Sequence, residues 1–236
     1  MRLDRLLVQK GLVHSRNKAQ ELICEGSVRV DGKVVKKASF IAGESASISI
    51  DGPALYVSRA ARKLEGFLKV HPVDIGGKRC LDVGASTGGF TQVLLQRGAS
   101  SVTALDVGRL QLHEALRSDS RVVSVEQTDI RGFETEKRFE VTTCDVSFIS
   151  LRNILPDLER LTEGVLILLF KPQFEVGIEA ARDKRGVVTD DRAVAKAMRE
   201  FEEEASRIGW REIAKAPSSL PGKEGNREWF YLFVNG

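Results

Sequence analysis

The sequence predicts an α/β protein whose mostly parallel sheet carries helices on both faces, preceded by a small α+β module. Three observations lead there. Beyond residue 58, short runs rich in Val, Leu and Ile alternate with stretches whose apolar residues recur at helical spacing. One such run, Cys80-Leu81-Asp82-Val83, passes into the glycine-rich turn Gly84-Ala85-Ser86-Thr87-Gly88-Gly89 and on into an amphipathic helix carrying Phe90, Val93 and Leu94. The first 40 residues hold nine lysines and arginines against four acids, whereas the remainder carries a net charge of −2. A basic module joined to a near-neutral one suggests that the first meets a polyanion and the second does something else.

With 236 residues, 42% of them hydrophobic, the chain can bury one sizeable core and a small second one. The longest dense apolar stretch, residues 165–170, is far short of the roughly 20 residues of a membrane helix, and Lys171 ends it. No long apolar region follows Met1-Arg2-Leu3-Asp4, so no signal peptide is expected and the cytoplasm is the default location. Cys24, Cys80 and Cys144 lie too far apart for a C-x-x-C motif and are expected reduced, in apolar surroundings, with no disulfide.

In chain order, Leu3, Leu6 and Leu7 predict a short helix that Gly11 ends. Ser15 is placed to cap a second helix with Ala19, Leu22 and Ile23 inward and Gly26 as its stop. Val28 and Val30 lead into Asp31-Gly32, a hairpin turn signal, with Val34 and Val35 on the return strand. This succession resembles the S-four-like RNA-binding domain named after a small-subunit ribosomal protein. The resemblance implies contact with structured RNA through the second helix and adjacent turns, placing Arg16, Lys18, Arg29 and Lys33 on the phosphate backbone. For any one of them, a solvated surface charge is the plainer alternative. Double-helical RNA is read mainly by shape and backbone, so no sequence specificity follows.

Residues 41–57, with Gly43, Ser45, Ser47, Ser49, Gly52 and Pro53, fit one last short strand and then a linker, dividing the chain into 1–52, a linker 53–57, and 58–236. Next, Ala61, Leu64, Phe67 and Leu68 form a helical stripe that leaves Arg59, Arg62 and Lys63 on a polar flank, with solvated charge the favoured reading for Arg59 and Arg62. Strands are predicted at 102–105, 122–125, 139–145 and 165–170, with a helix carrying Ile154, Leu155, Leu158 and Leu161 between the last two. A long loop from 171 to 190 precedes a helix with Ala193, Ala197, Phe201 and Ala205, and two strands, 211–215 and 227–234, close the chain.

The glycine turn follows a buried strand, and ligands of open α/β sheets lie across the carboxyl ends of strands. Its spacing, Gly84-x-x-x-Gly88-Gly89, lacks the G-x-G-x-x-G of a dinucleotide pyrophosphate site, which favours a cofactor without phosphates, with S-adenosylmethionine (SAM) the candidate. An ordinary strand-to-helix turn is the alternative. Asp106, 24 positions after Asp82, ends the second strand, where it can bind ribose hydroxyls, and Asp129 follows the third, within reach of an adenine edge. Each acid alone reads as a cap or turn residue; three at successive strand ends point to a nucleotide site.

Two further strands end in charge: Cys144-Asp145-Val146-Ser147-Phe148 and Leu169-Phe170-Lys171-Pro172-Gln173-Phe174. Partial desolvation and a neighbouring acid are what fit a lysine for deprotonating or polarising a hydroxyl. The alternative is that Lys171 simply emerges at the sheet edge into water.

Residues 81–91, Asp145-Val146-Ser147-Phe148-Ile149-Ser150-Leu151 and Lys171-Pro172-Gln173-Phe174-Glu175-Val176-Gly177 resemble the TlyA (hemolysin A) family of ribosomal RNA 2'-O-methyltransferases, within the FtsJ (RrmJ) class. The resemblance spans nearly the whole chain, including the junction Tyr56-Val57-Ser58-Arg59. It implies a Rossmann-like SAM-dependent methyltransferase sheet and a catalytic tetrad at Lys63, Asp145, Lys171 and Glu228, with Glu224 the competing choice for the last acid. SAM contacts then fall at Asp82, Gly84, Ser86, Gly88, Gly89, Phe90, Asp106, Asp129 and Asp145. Family members often have Asn where Asp129 stands and Trp where Tyr56 stands. The implied chemistry is in-line attack of a ribose 2'-oxygen on the methyl carbon of SAM, releasing S-adenosylhomocysteine and needing no metal. Lys171 would deprotonate or orient the hydroxyl, and Asp145 would position Lys171 and the methionine amino group. The implied substrate is a cytidine of ribosomal RNA or ribosomal subunits, with large-subunit RNA favoured because the chain begins at the RNA-binding module and ends on the last strand. The competing readings are a non-enzymatic ribosome-assembly factor, a pore-forming hemolysin, and a pseudouridine synthase. Oligomeric state has no signature in the sequence.

Overall fold

The computed structural model describes residues 1–13, 15–24, 26–50 and 56–235. The chain divides into two compact units, Met1–Tyr56 and Val57–Gly236. Residues 51–55, which hold most of the expected linker, lie outside the described residues.

The first unit follows its sequence pattern. Helix α1 (Leu3–Gln9) buries Leu3, Leu6 and Leu7, and Gly11 adopts φ +66° just beyond it, a left-handed position that glycine fills without strain. The Ser15 hydroxyl accepts a hydrogen bond from the Lys18 amide at 3.2 Å at the start of α2 (Arg16–Cys24), which buries Ala19, Leu22 and Ile23. Strands β1 (Val28–Val30) and β2 (Lys33–Val34) join through Asp31 and Gly32, both at positive φ, the hairpin geometry that an Asp-Gly pair favours. The return strand stops one residue earlier than expected, although the Val35 amide still donates to Val28 O at 3.0 Å. Strand β3 (Ile48–Ile50) pairs with the other edge of β1, giving an antiparallel β2-β1-β3 sheet. Beneath it, Asp4 is fully buried and accepts from Arg2 (3.1 Å), Arg16 (3.0 Å) and Gln20 (2.9 Å). The Arg2 guanidinium, aided by Gln20 and Arg16, holds the Asp4 carboxyl far below the usual carboxylate range.

The second unit is a doubly wound sheet. Helix α3 (Arg59–Val70) precedes β4 (Arg79–Val83), α4 (Gly89–Gln96), β5 (Ser101–Leu105), the one-turn α5 (Glu114–Arg117), β6 (Val122–Val125), β7 (Phe139–Cys144), α6 (Leu155–Leu161) and β8 (Thr162–Phe170). Then come α7 (Pro172–Glu175), α8 (Asp191–Arg207), β9 (Trp210–Pro217) and β10 (Trp229–Asn235). The strand order is β6-β5-β4-β7-β8-β10-β9; the first five are parallel and β10 runs antiparallel to both its neighbours. The segment after Lys171, expected as loop, begins with a helical turn because Pro172 fits the first helical position, where a missing N–H costs nothing.

Alternation along β10 sets the two faces. Phe230 stacks on Phe67 of α3 at 4.8 Å, while Tyr231 packs edge-on against Phe201 of α8 at 5.1 Å. Phe201, Phe170, Tyr231 and Phe233 are all essentially inaccessible. Cys80 and Cys144 are buried, as expected, and burial pushes the Cys80 thiol up to about 12; Cys24, against expectation, is exposed.

Candidate active site

Successive strands build outward in one direction from β4 through β5 to β6 and in the other from β7 to β8. The crevice between β4 and β7 is therefore the topological switch point, where ligands bind above the carboxyl ends of strands. Gly84 closes β4 at φ +77°, and a Cβ there would stand 2.7 Å from the carbonyl oxygen of Asp145, so only glycine lets the two strand ends approach. Beside them opens a cavity of about 340 Å3 lined by Gly84, Ser86, Asp106, Gln111, Asp129 and Asp145 together with the apolar side chains of Val107, Ile130, Val146, Phe148 and Ile149.

Five of the nine expected cofactor contacts therefore line one cavity. Asp106 accepts the amides of Ser86 (2.7 Å) and Gly108 (2.6 Å), which fixes its carboxylate at the tip of β5. Asp129 is clamped by Arg131 at 2.6 and 2.9 Å, and that guanidinium holds its carboxyl down to about 2. The carboxylate expected to reach for adenine is thus engaged by its own chain.

Asp82, Gly88, Gly89 and Phe90, the other four expected contacts, lie outside the lining of this cavity. Asp82 is sealed beneath the glycine turn, accepting from the Thr91 amide (2.8 Å), the Thr91 hydroxyl (2.6 Å) and Thr143 (3.0 Å). Burial raises its pKa to about 6 in spite of these donors. Gly88 and Gly89 are required for packing: a Cβ would meet Leu116 at the first and Ser58 with the Ala61 backbone at the second. Phe90 turns into the core.

The four tetrad positions form two ion pairs. Lys171 Nζ lies 2.7 Å from Asp145 Oδ1 and donates to Ser147 Oγ at 2.9 Å. The Asp145 contact lies outside hydrogen-bond angles, leaving Oδ1 buried without a hydrogen-bond donor among the described residues. Lys63 Nζ donates to Glu228 Oε2 at 2.6 Å, with side chains 10% and 3% exposed. Trp229 pairs with Phe170 at the end of the β10/β8 register, so Glu228 and Lys171 are the residues that directly precede and follow that last pair. Glu224 is exposed, and Gly222 makes room for Glu228, since a Cβ there would stand 2.6 Å from Glu228 Oε1. Arg59 and Arg62, read from sequence as solvated, are half-buried on α3.

In the first unit, Arg16 is committed to Asp4 and Lys18 is largely covered beside Glu21 at 3.5 Å. Arg29 is half-buried and donates to Gly32 O at 3.3 Å. Lys33 is exposed, as are Lys36 and Lys37 just beyond it, two cations that the expected RNA contacts omitted.

A family model described as FtsJ-like methyltransferase matches residues 56–234, and one described as S4 domain matches residues 1–48. A Campylobacter jejuni protein named 23S rRNA (cytidine-2'-O)-methyltransferase TlyA is 45% identical, with 99% of each chain covered. The chain belongs to the TlyA family of FtsJ-like methyltransferases. Another TlyA, from Mycobacterium tuberculosis and named for both 16S and 23S rRNA, is 43% identical over 97% of this chain and 88% of its own. A solved structure from Streptococcus thermophilus, provisionally labelled a hemolysin, superposes with a TM-score of 0.75 at 35% identity, covering 100% of this chain and 88% of that one.

Within this TlyA-family fold, sequence reasoning missed the residues that hold the site loops. Glu126 accepts the amides of Leu110, Gln111 and Leu112 and so presents Gln111 to the cavity, where its side chain meets Ser86 Oγ at 3.1 Å. Glu175 accepts from Ser150 Oγ (2.6 Å) and the Leu151 amide (2.8 Å), tying α7 to the loop after Asp145. The Glu175 signal was available, because it lies inside one motif and its partners inside another.

Proposed function

We propose that the chain methylates the ribose 2'-oxygen of a cytidine in ribosomal RNA, with SAM as donor and S-adenosylhomocysteine as product. The observation that carries this reading is the pair of largely desolvated lysine–carboxylate contacts, Lys171–Asp145 and Lys63–Glu228, the first reaching the switch-point cavity through Asp145 and the second joined to it through the adjoining ends of β8 and β10. The residues fit the cofactor: Asp106 faces a cavity whose apolar wall suits an adenine, and the Asp145 carboxylate at the wall of the same cavity suits the methionine ammonium. When bound, SAM supplies an electrophilic methyl carbon.

The remaining work falls to this chain. A lysine ammonium has three donors; Ser147 accepts one from Lys171 while the Asp145 carboxylate balances its charge at 2.7 Å, which leaves a donor for a substrate hydroxyl. The Lys171 ammonium would donate to the 2'-oxygen and stabilise the negative charge that develops there as the oxygen bonds to the methyl carbon and S-adenosylhomocysteine leaves, the hydroxyl proton passing to water. Asp145 and Ser147 fix the aim of Lys171, and Glu228 anchors Lys63. Little beyond positioning and electrostatics is needed.

Residues 1–52 would serve as the RNA-binding domain, 53–57 as linker and 58–236 as the methyltransferase domain. Large-subunit RNA is the favoured substrate, supported by the name of the Campylobacter relative, and the cytoplasm, where ribosomes are, the place of action. A hemolysin would need a membrane-active element, and no helix among the described residues is long and apolar enough to cross a membrane. Incubating purified small and large ribosomal subunits with methyl-labelled SAM tests the reading: label should enter rRNA, and none in either subunit would sink it.

A further inference from the structure

A second cavity, of about 300 Å3, lies at the same edge of the sheet but opens on its other face. Glu228 points toward α3, so Trp229, the next residue on β10, points the opposite way, toward α8. There Trp229 forms one wall, Val194, Ala195 and Met198 of α8 another, and Arg227 stands exposed at the mouth. Pro172 closes the cavity on the side of Lys171. The rim is built rather than loose. Asn226, 5% exposed, accepts the Val188 amide at 2.9 Å through Oδ1 and donates to Gly186 O at 3.4 Å through Nδ2, stapling the 182–188 segment to the stretch that leads through Glu228 into β10.

We propose that this cavity is a nucleobase subsite, taking one unstacked base of the substrate RNA adjacent to the methylated nucleotide. The inference rests on the ribose-methylating function proposed above. Three of its lining residues are chain neighbours of the tetrad, since Pro172 follows Lys171 while Arg227 and Trp229 flank Glu228. A strand whose target ribose sits over Lys171 and which then crosses the sheet edge delivers its next base to the Trp229 face. An indole wall and aliphatic sides suit the π-face of a base, and the exposed Arg227 offsets the Asp191 carboxylate that also lines the cavity and offers a cation to the phosphate that follows. Holding the flanking base there would keep the target nucleotide out of its stack while the hydroxyl is aligned.

Ala195 is exposed on α8, so Ala195→Phe fills the cavity without opening the core, and Ala195→Ser preserves the space. With undermethylated large ribosomal subunits as substrate, Ala195→Phe should lower kcat/KM roughly tenfold or more, the scale of one lost stacking contact. The loss should appear as raised KM, with SAM affinity and melting temperature unchanged and Ala195→Ser like the parent. Ultraviolet irradiation of the complex should join the Trp229 peptide to a nucleotide next to the mapped methylation site. Parental kcat/KM in Ala195→Phe, or an adduct several nucleotides away, overturns the subsite and leaves the methyltransferase reading standing; absence of transfer by the unaltered protein overturns both.

Discussion

The Lys63–Glu228 pair offers a quantitative test because its charges are nearly removed from water and separated by 2.6 Å. Glu228→Gln keeps the shape and one acceptor but leaves the Lys63 ammonium without its counter-charge. Removing one partner of a buried pair costs about 3–5 kcal/mol, and the amide oxygen can retain a hydrogen bond worth about 1 kcal/mol, so a net loss of about 2–4 kcal/mol is expected. For a unit of this size that lowers the melting temperature by about 4–16 °C. Both tryptophans, Trp210 and Trp229, lie in the second unit, so their fluorescence follows its unfolding without interference from the first. Lys63→Met combined with Glu228→Gln should recover most of the loss, because a neutral pair leaves no stranded charge. Additive losses in the double variant would refute the pairing. Both single variants should also lose methyl transfer.

Lys171→Ala should lower the single-turnover methylation rate by about 100-fold or more, in the range of a lost charge-stabilising donor, with SAM affinity by calorimetry nearly unchanged; parallel loss of both would make Lys171 structural. Asp82 has a folded pKa of about 6, above its ordinary value, so the native state holds the extra proton between pH 4 and 6. Its contribution to stability is therefore present at low pH and lost as pH rises through about 6, up to about 3 kcal/mol. Urea titrations should show this slope and find it flattened in Asp82→Asn. Replacing Lys33 and Lys37 by Ala should weaken rRNA binding and reduce the salt slope by about 1–2; Arg16→Ala should instead mainly destabilise the first unit, by stripping a cation from buried Asp4. An unchanged slope in the Lys33/Lys37 variant, measured by filter binding across a salt series, would remove that edge from the RNA interface.

The alternation of strands and helices was legible because periods of two and 3.6 differ over even a few residues, and the stops at Gly11 and Gly26 are local chemistry. The site was legible in part. Asp82 and Asp106 give the same local signal, an acid near the end of an apolar strand. They differ only because the central strand's acid lies beneath the glycine turn, where Thr91 and Thr143 enclose it. Lys63 carries no local sign of burial, since its partner lies 165 residues away. The choice between Glu228 and Glu224 likewise rests on tertiary packing against Gly222. Arg131, two residues after Asp129, was a readable warning that the acid was already engaged. The Arg16–Asp4 pair carried no local sign either, since the two residues lie on different helices, 12 positions apart.

The most direct test of the central claim is a nucleotide-resolution map of ribose methylation on rRNA from cells with the protein, without it, and with only the Lys171→Ala variant. The account predicts a 2'-O-methylcytidine in large-subunit rRNA in the first sample alone. A methyl group on a base, or a map that is the same in all three samples, would contradict it.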